Sequence, residues 1–183
     1  MGGDNAPSVI VEGARAAIEL GIRVELVGDP ARIENAGDIV VHRALEVIGM
    51  ADEPGRAVRT LKDSSIVRAA ERVRDGHAGA MVSAGNTGAT FLAAHAALGM
   101  LVGVDRPALA TVIPTLRSDA ILLDAGANIE CRPEHLLQFA AMGRAYARLL
   151  LNLKEPRVGL LSIGEEASKG NELIRDAHQL LLG

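Results

Sequence analysis

Two hydrophobic rhythms alternate along the chain, one helical and one without periodicity. In PSVIVEGARAAIELG (7–21) the apolar positions 9, 10, 14, 17, 18 and 20 keep helical spacing, with Pro7 suited to the first turn and Gly21 closing the run. The same pattern predicts helices over 54–61, 64–76, 86–100, 132–151 and 171–182. Serine caps the 64–76 helix and Gly76 stops it, while Pro133 opens the 132–151 helix. Between these lie short runs with little polar alternation: 23–29, 38–44, 78–83, 107–114, 120–124 and 157–163. A strand without polar alternation has both faces covered, which is the condition of a parallel sheet between helices. The fold class predicted is therefore α/β with a mainly parallel sheet. Repeats, low-complexity segments and linkers are absent from the string. The chain opens on a loop, MGGD, and stops just after a helix, so it is expected to be one α/β domain over 1–183 forming the N-terminal portion of something longer.

Composition narrows the function classes. Hydrophobic residues make up 49% and charged residues 23%, as in ordinary folded domains. Nineteen basic against 23 acidic residues give a net charge of −4, without a basic cluster to follow a phosphate backbone. Two phenylalanines, one tyrosine and no tryptophan leave nothing to stack bases, so no nucleic acid is expected as a partner. The single cysteine, Cys131, fits a reducing compartment. Phe91–Val104, the longest weakly polar stretch, contains His95 and falls short of the roughly 20 residues of a membrane span. MGGDNAPS has neither the basic nor the apolar region of a signal peptide, and a cytoplasmic location is expected.

The chemistry concentrates in loops that follow strands. SAGNTGAT (83–90), DAGANIECRPE (124–134) and GEEASKGNE (164–172) each join glycine to Asn, Ser, Thr or an acid. Ligands of open parallel sheets bind at the carboxyl ends of strands, so the three loops are expected to line one crevice. Glycine lets a backbone approach an anion, and the helix that follows offers free N–H groups and a positive dipole end. In this reading Ser83, Gly85, Asn86, Thr87 and Gly88 cradle an oxyanion at the start of helix 86–100. A helix terminus contributes about 0.3–2 kcal/mol to an anion, whereas millimolar binding needs about 4 kcal/mol. Charge-assisted bonds must supply the difference. Only Lys62, Lys154 and Lys169 are lysines. Lys62 in LKDSS, beside Ser64 and Ser65, and Lys169 in EEASKGNE stand in suitable loops, while Lys154 reads as an ordinary exposed connection.

Plainer readings stand beside each of these. The SAGNTGA junction matches neither GxGxxG nor GxxxxGK[ST], so it can also be a packed cap without a ligand. Asp124 can simply bond neighbouring amides, and Asn128 can be a turn former. Cys131 is a conceivable acyl acceptor without a His placed to activate it. His42, His77, His95, His135 and His178 show no metal spacing, and no Ser-His-Asp pattern is legible. The residues alone lead to an α/β protein with an anion-binding crevice.

The wording of the loops carries a resemblance. MGGDNAP, LKDSSIV, VSAGNTGA, RPALATVIPT, LLDAGANIECRPEHLLQFA and PRVGLLSIGEEASKGNEL, in this order, closely resemble the motif run of the bacterial phosphate acyltransferases of the PlsX family. The resemblance implies transfer of a fatty acyl group from acyl carrier protein to inorganic phosphate, giving acyl phosphate for phospholipid synthesis. It implies a Rossmann-like three-layer α/β/α sandwich, similar to phosphotransacetylases and isocitrate/isopropylmalate dehydrogenases. A homodimer, peripheral membrane association and no metal or organic cofactor complete the expectation. Family members are about twice as long and carry a short strand before MGGD, which this chain lacks.

Matched to that chemistry, the amides of Gly85 to Gly88 with Asn86 and Thr87 are expected to hold phosphate. Lys62 or Lys169 would offset its charge, and Asn128 or a spare amide would stabilise the tetrahedral oxyanion. Ser83, Ser64, Ser65, Gly164, Asn171 and Asp4 are expected to line the phosphate site, with Asn5 beside Asp4 and with Glu165 and Glu166 positioning Lys169. Two other readings stay open: a phosphotransacetylase-like enzyme using acyl-CoA, and a non-catalytic phosphate-binding module. A nicotinamide-dependent dehydrogenase is disfavoured by the missing dinucleotide fingerprint.

Overall fold

A computed structural model describes residues 1–164 and 169–183. The chain forms two compact units, Met1–Gly99 and Met100–Gly183.

In the first unit the order is α1 (Ser8–Glu19), β1 (Leu26–Gly28), β2 (Val41–Arg43), α2 (Pro54–Thr60), α3 (Ser65–Arg74) and α4 (Thr87–Leu98). All four helices fall where the apolar spacing predicts them. Gly21 and Gly76 follow the ends of α1 and α3 with φ of 81° and 75°, a conformation glycine adopts without strain. β1 and β2 pair in parallel, Leu26 against Val41 and Gly28 against Arg43. α4 is rich in small residues, and that is what lets it sit close to its neighbours. Ala89 and Ala93 are buried against a cluster of Ile48, Ala57, Val58, Ile66 and Ala70 contributed by the loop before α2, by α2 and by α3. A second cluster, Val11, Ala14, Leu26 and Ile33, joins α1 to β1.

The second unit contains β3 (Ala110–Pro114), β4 (Asp119–Leu123), α5 (Pro133–Leu151) and α6 (Glu172–Leu182). β3 and β4 form an antiparallel hairpin from Ala110↔Leu123 to Pro114↔Asp119. α5 buries His135, Phe139 and Ala147 along one stripe, and its Gly143 lies against Leu123 of β4.

Three expectations about strands need correction. Residues 78–83 and 157–163 form no strand, although both are apolar. Val82 is 97% exposed, whereas the pattern predicted cover on both faces. β3, also expected to be buried, is exposed at all five positions. The first two share a cause: an apolar run becomes a strand only beside a partner that takes its N–H and C=O groups. Among the described residues 78–83 and 157–163 have none. β3 has that partner in β4, and its exposure reflects instead that its side chains are not covered among the described residues. The sheets are thus two small pairs, one parallel and one antiparallel, within an α/β chain.

An ion cluster ties β1 and β2 to α3. Arg72 donates through Nε (2.9 Å) and Nη2 (2.5 Å) to the Glu25 carboxylate, and His42 Nε2 lies 3.0 Å from it. The Arg72 guanidinium holds the Glu25 carboxyl below the ordinary glutamate range, with His42 adding to the effect. A depressed folded pKa means that the stabilisation is complete above the ordinary glutamate value and is lost as pH falls through the folded one. Glu25→Gln should therefore flatten the acid limb of a stability-against-pH curve below about pH 4, as read by urea midpoints, while leaving the slope near neutrality as in the parent chain.

Candidate functional site

The loop between residue 83 and helix α4 is built by its own side chains. Ser83 Oγ accepts from the Gly85 amide (3.2 Å) and from Thr90 Oγ1 (3.1 Å), which folds the loop back onto the first turn of the helix. Asn86 is the N-cap, and its Oδ1 accepts from the Ala89 amide at 3.0 Å. Its Nδ2 faces three carbonyls, those of Gly49 (3.1 Å), Met50 (3.3 Å) and Asp52 (3.0 Å). The residue is 5% exposed. An amide nitrogen carries two hydrogens, so both side-chain N–H bonds of Asn86 are already engaged within the fold. Reversing the amide would set its oxygen against those carbonyls.

This fixes what the loop can offer an anion. The amides of Gly85 and Ala89 are spent on Ser83 and Asn86. The amides of Thr87 and Gly88, at the first two positions of α4, find no acceptor among the described residues. The Asn86 side chain thus fixes the start of α4, while its own backbone amide, like those of Thr87 and Gly88, finds no acceptor among the described residues.

Several chain segments meet at this loop. A Cβ on Gly85 would lie 3.5 Å from Ile66 Cδ1, in the first turn of α3. On Gly88 it would come within 2.7 Å of Pro54 Cγ, where α2 begins, and on Gly3 within 2.6 Å of the Ala84 carbonyl oxygen. Ala84 also forms a wall of a shallow cleft of about 160 Å³, completed by residues 3–6 and by Val9 and Ile10 on the first turn of α1. The first turns of α1, α3 and α4 therefore all lie near residues 83–88, and the start of a helix is where free N–H groups and a positive dipole end are found. Asp4 lies in the cleft, exposed.

The LKDSS segment is held beside β2. Asp63 accepts from the Leu45 amide at 3.0 Å, and the Asp63 amide donates to Glu46 at 2.7 Å. Ser65 N bonds the Glu46 carbonyl at 3.3 Å. Ser64, the N-cap of α3, is fully buried, and its hydroxyl has no partner among the described residues. Lys62 is exposed and donates to the Val58 carbonyl at the end of α2 (3.0 Å), which leaves two of its three N–H bonds for other work.

In the second unit, Asn128 Nδ2 donates to Pro107 O (2.9 Å) and to Asp124 Oδ1 (3.0 Å). Both hydrogens are again occupied, so Asn128 turns an acceptor, not a donor, toward its surroundings. Asp124 adopts φ of 63°, a left-handed conformation uncommon outside glycine but tolerated by aspartate. Its other oxygen lies 4.0 Å from Cys131 Sγ. Burial, with the Asp124 charge adding, pushes the Cys131 thiol up, so at neutral pH it is protonated and a poor nucleophile. Asn171 caps α6 through the Ile174 amide (3.0 Å). Lys169 is exposed and Gly164 half-buried, while Glu165 and Glu166 lie outside the described residues.

Of the positions singled out in the sequence, Asp4, Ser83, Gly85, Asn86, Thr87 and Gly88 form one locality in the first unit, with α3 starting against it just after Ser64 and Ser65. Asn128, Gly164, Lys169 and Asn171 belong to the second unit. Sequence reading missed Thr90, four residues after Asn86 and so on the same helix face, and the carbonyls of 49–52, which no local pattern announces. Among the described residues no group of His, Cys, Asp and Glu could hold a metal, and no helix is long and apolar enough to cross a membrane.

A model of the fatty acid synthesis protein family matches residues 1–182. The chain belongs to that family. Curated relatives agree with the match. The phosphate acyltransferase of Geobacter sulfurreducens is 53% identical over 99% of this chain and 55% of its own length. That of Desulforamulus reducens is 50% identical over 99% of this chain and 57% of its own, and that of Geotalea uraniireducens 52% over 99% and 55%. The chain thus spans a little over half the length of these relatives.

Two measurements check the geometry in this family member. Asn86→Ala orphans three carbonyls and the Ala89 amide, and a group left unsatisfied costs about 1–3 kcal/mol. The urea midpoint of the 183-residue chain should fall accordingly, and a surface site would show no such fall. Asp124→Asn removes the charge that helps to raise the Cys131 thiol, so iodoacetamide should label Cys131 faster at neutral pH in the variant.

Proposed function

We propose that the full-length protein transfers an acyl group from a thioester to inorganic phosphate, with acyl carrier protein as the donor, and that residues 83–88 hold the phosphate. The observation that carries the reading is the meeting of three helix starts on a glycine loop whose Thr87 and Gly88 amides are unengaged. Family membership supports the chemistry.

The reaction asks little of acid–base catalysis. Hydrogen phosphate is already a nucleophile, and a thioester is an easy electrophile. A phosphate oxygen adds to the carbonyl carbon. The C–S bond then breaks, and the departing thiolate takes the phosphate proton, leaving acyl phosphate and a free thiol. Position and charge are what the protein supplies. The Thr87 and Gly88 amides and the Ser83 hydroxyl contact the phosphate. Asn86 positions them, and Gly85 lets the chain pass close to Ile66. Lys62 brings a cation from the neighbouring LKDSS segment, with Ser64 and Ser65 at the start of α3 beside it.

For the second unit the sequence expectation that Lys169, Gly164 and Asn171 serve phosphate stays a proposal for the full-length protein. Asn128, its donors taken, organises the 124–131 loop instead of meeting an oxyanion. The family resemblance supports a Rossmann-like sandwich for the complete protein, a homodimer, and peripheral association with the inner face of the membrane.

The test uses the full-length protein with palmitoyl-acyl carrier protein, with and without phosphate, following loss of thioester and appearance of hydroxylamine-trappable acyl phosphate. Phosphate-dependent conversion is expected, and acyl-CoA in the donor's place should work less well. Gly88→Ala, which drives a methyl toward Pro54, should raise the KM for phosphate about tenfold, equivalent to about 1.4 kcal/mol. A folded protein that binds phosphate without consuming thioester would favour the binding-module reading.

A further inference from the structure

The cleft beside the phosphate loop has a character of its own. One side is apolar: Val9 and Ile10, on the first turn of α1, are 52% and 36% exposed. The other side is polar. Asp4 and Asn5 stand there, and their side chains make no hydrogen bond among the described residues. No cation lines the cleft, and a carboxylate repels a phosphate dianion, so this is not a second seat for phosphate. At about 160 Å³ it is smaller than the roughly 300–1,000 Å³ that encloses a whole small molecule. It suits one section of a long ligand. Ala84 shows which way such a ligand runs, because it walls the cleft and directly precedes Gly85 of the phosphate loop.

The occupant is therefore not an anion at this point, and as one section of a longer ligand it is flexible. It must be partly apolar for Val9 and Ile10, and it must carry N–H donors for Asp4 and Asn5. A hydrocarbon chain meets the first demands and fails the last, since it would cover two polar side chains without bonding them. We propose that the cleft between residues 3–6 and the first turn of α1 holds the pantetheine arm of the thioester donor, whose amides alternate with short methylene runs. This rests on the acyl-transfer reading above, in which the arm ends at the sulfur beside the reacting carbonyl. Acyl carrier protein and coenzyme A both carry the arm, so the cleft recognises what the two donors share.

The experiment compares thioesters of one acyl chain in the full-length protein: S-acyl pantetheine, S-acyl ethanethiol, which lacks the arm, acyl-CoA and acyl-acyl carrier protein. The native protein should use S-acyl pantetheine at least tenfold better in kcat/KM than S-acyl ethanethiol. Val9→Trp, which fills the cleft from an exposed position, should collapse that ratio toward one, as should Asp4→Ala. Loss of the acyl-carrier advantage alone, with the pantetheine ratio intact, would place recognition on the carrier's surface and overturn the proposal. So would a native ratio near one, or a ratio that survives both substitutions. Calorimetric binding of S-acyl pantetheine separates this proposal from the reaction itself. Binding that Val9→Trp abolishes, in a protein that makes no acyl phosphate from any donor, supports the cleft and sinks the transfer reading. Turnover with unchanged pantetheine binding in Val9→Trp does the reverse.

Discussion

The side-chain amide of Asn86 is the constraint on which the first unit depends. One residue caps α4 with its oxygen and gathers the carbonyls of Gly49, Met50 and Asp52 with its nitrogen. Burial at 5% exposure removes water as an alternative partner, so the clamp and the packing around it stand or fall together. By tying the loop before α2 to the start of α4, it sets Pro54 against Gly88 and fixes the first turn, where the Thr87 and Gly88 amides find no acceptor among the described residues. A side chain that looks catalytic in a string thus commits both of its N–H bonds and its oxygen to contacts inside the protein.

The helices were legible and the strands only partly so, for one physical reason. A helix satisfies its backbone from residues four positions away, so apolar spacing and stop glycines placed α1 to α6 within one to two residues at most ends. A strand is a relation between two segments. Val41–Arg43 qualifies because Leu26–Gly28 lies beside it, whereas 78–83, the more apolar segment, has no such neighbour among the described residues. Composition records the capacity to pair and cannot record the partner.

The site divides along the same line. Glycines at 85 and 88 were readable as close approaches, and the structure gives Gly88 a neighbour, Pro54, that a side chain would crowd, while Gly85 has room for a Cβ in ordinary contact with Ile66. What the string could not show is how hydrogen bonds are shared out, because the acceptors of Asn86 lie some 34–37 residues upstream. Asn128 teaches the same lesson. Its place in a Gly-rich loop suggests a donor for an oxyanion, and the Pro107 carbonyl and Asp124 have already taken both hydrogens.

The starts of α1, α3 and α4 around residues 83–88 give the loop a positive potential that owes nothing to ionisable side chains. Peptide dipoles have no proton to lose. A lysine-lined pocket weakens as its ammonium groups titrate, whereas the contribution of peptide dipoles does not change with pH while the fold survives. For any anion held by these backbone amides alone, a dependence of capture on acidity would belong to the anion's own ionisation and not to the peptide backbone.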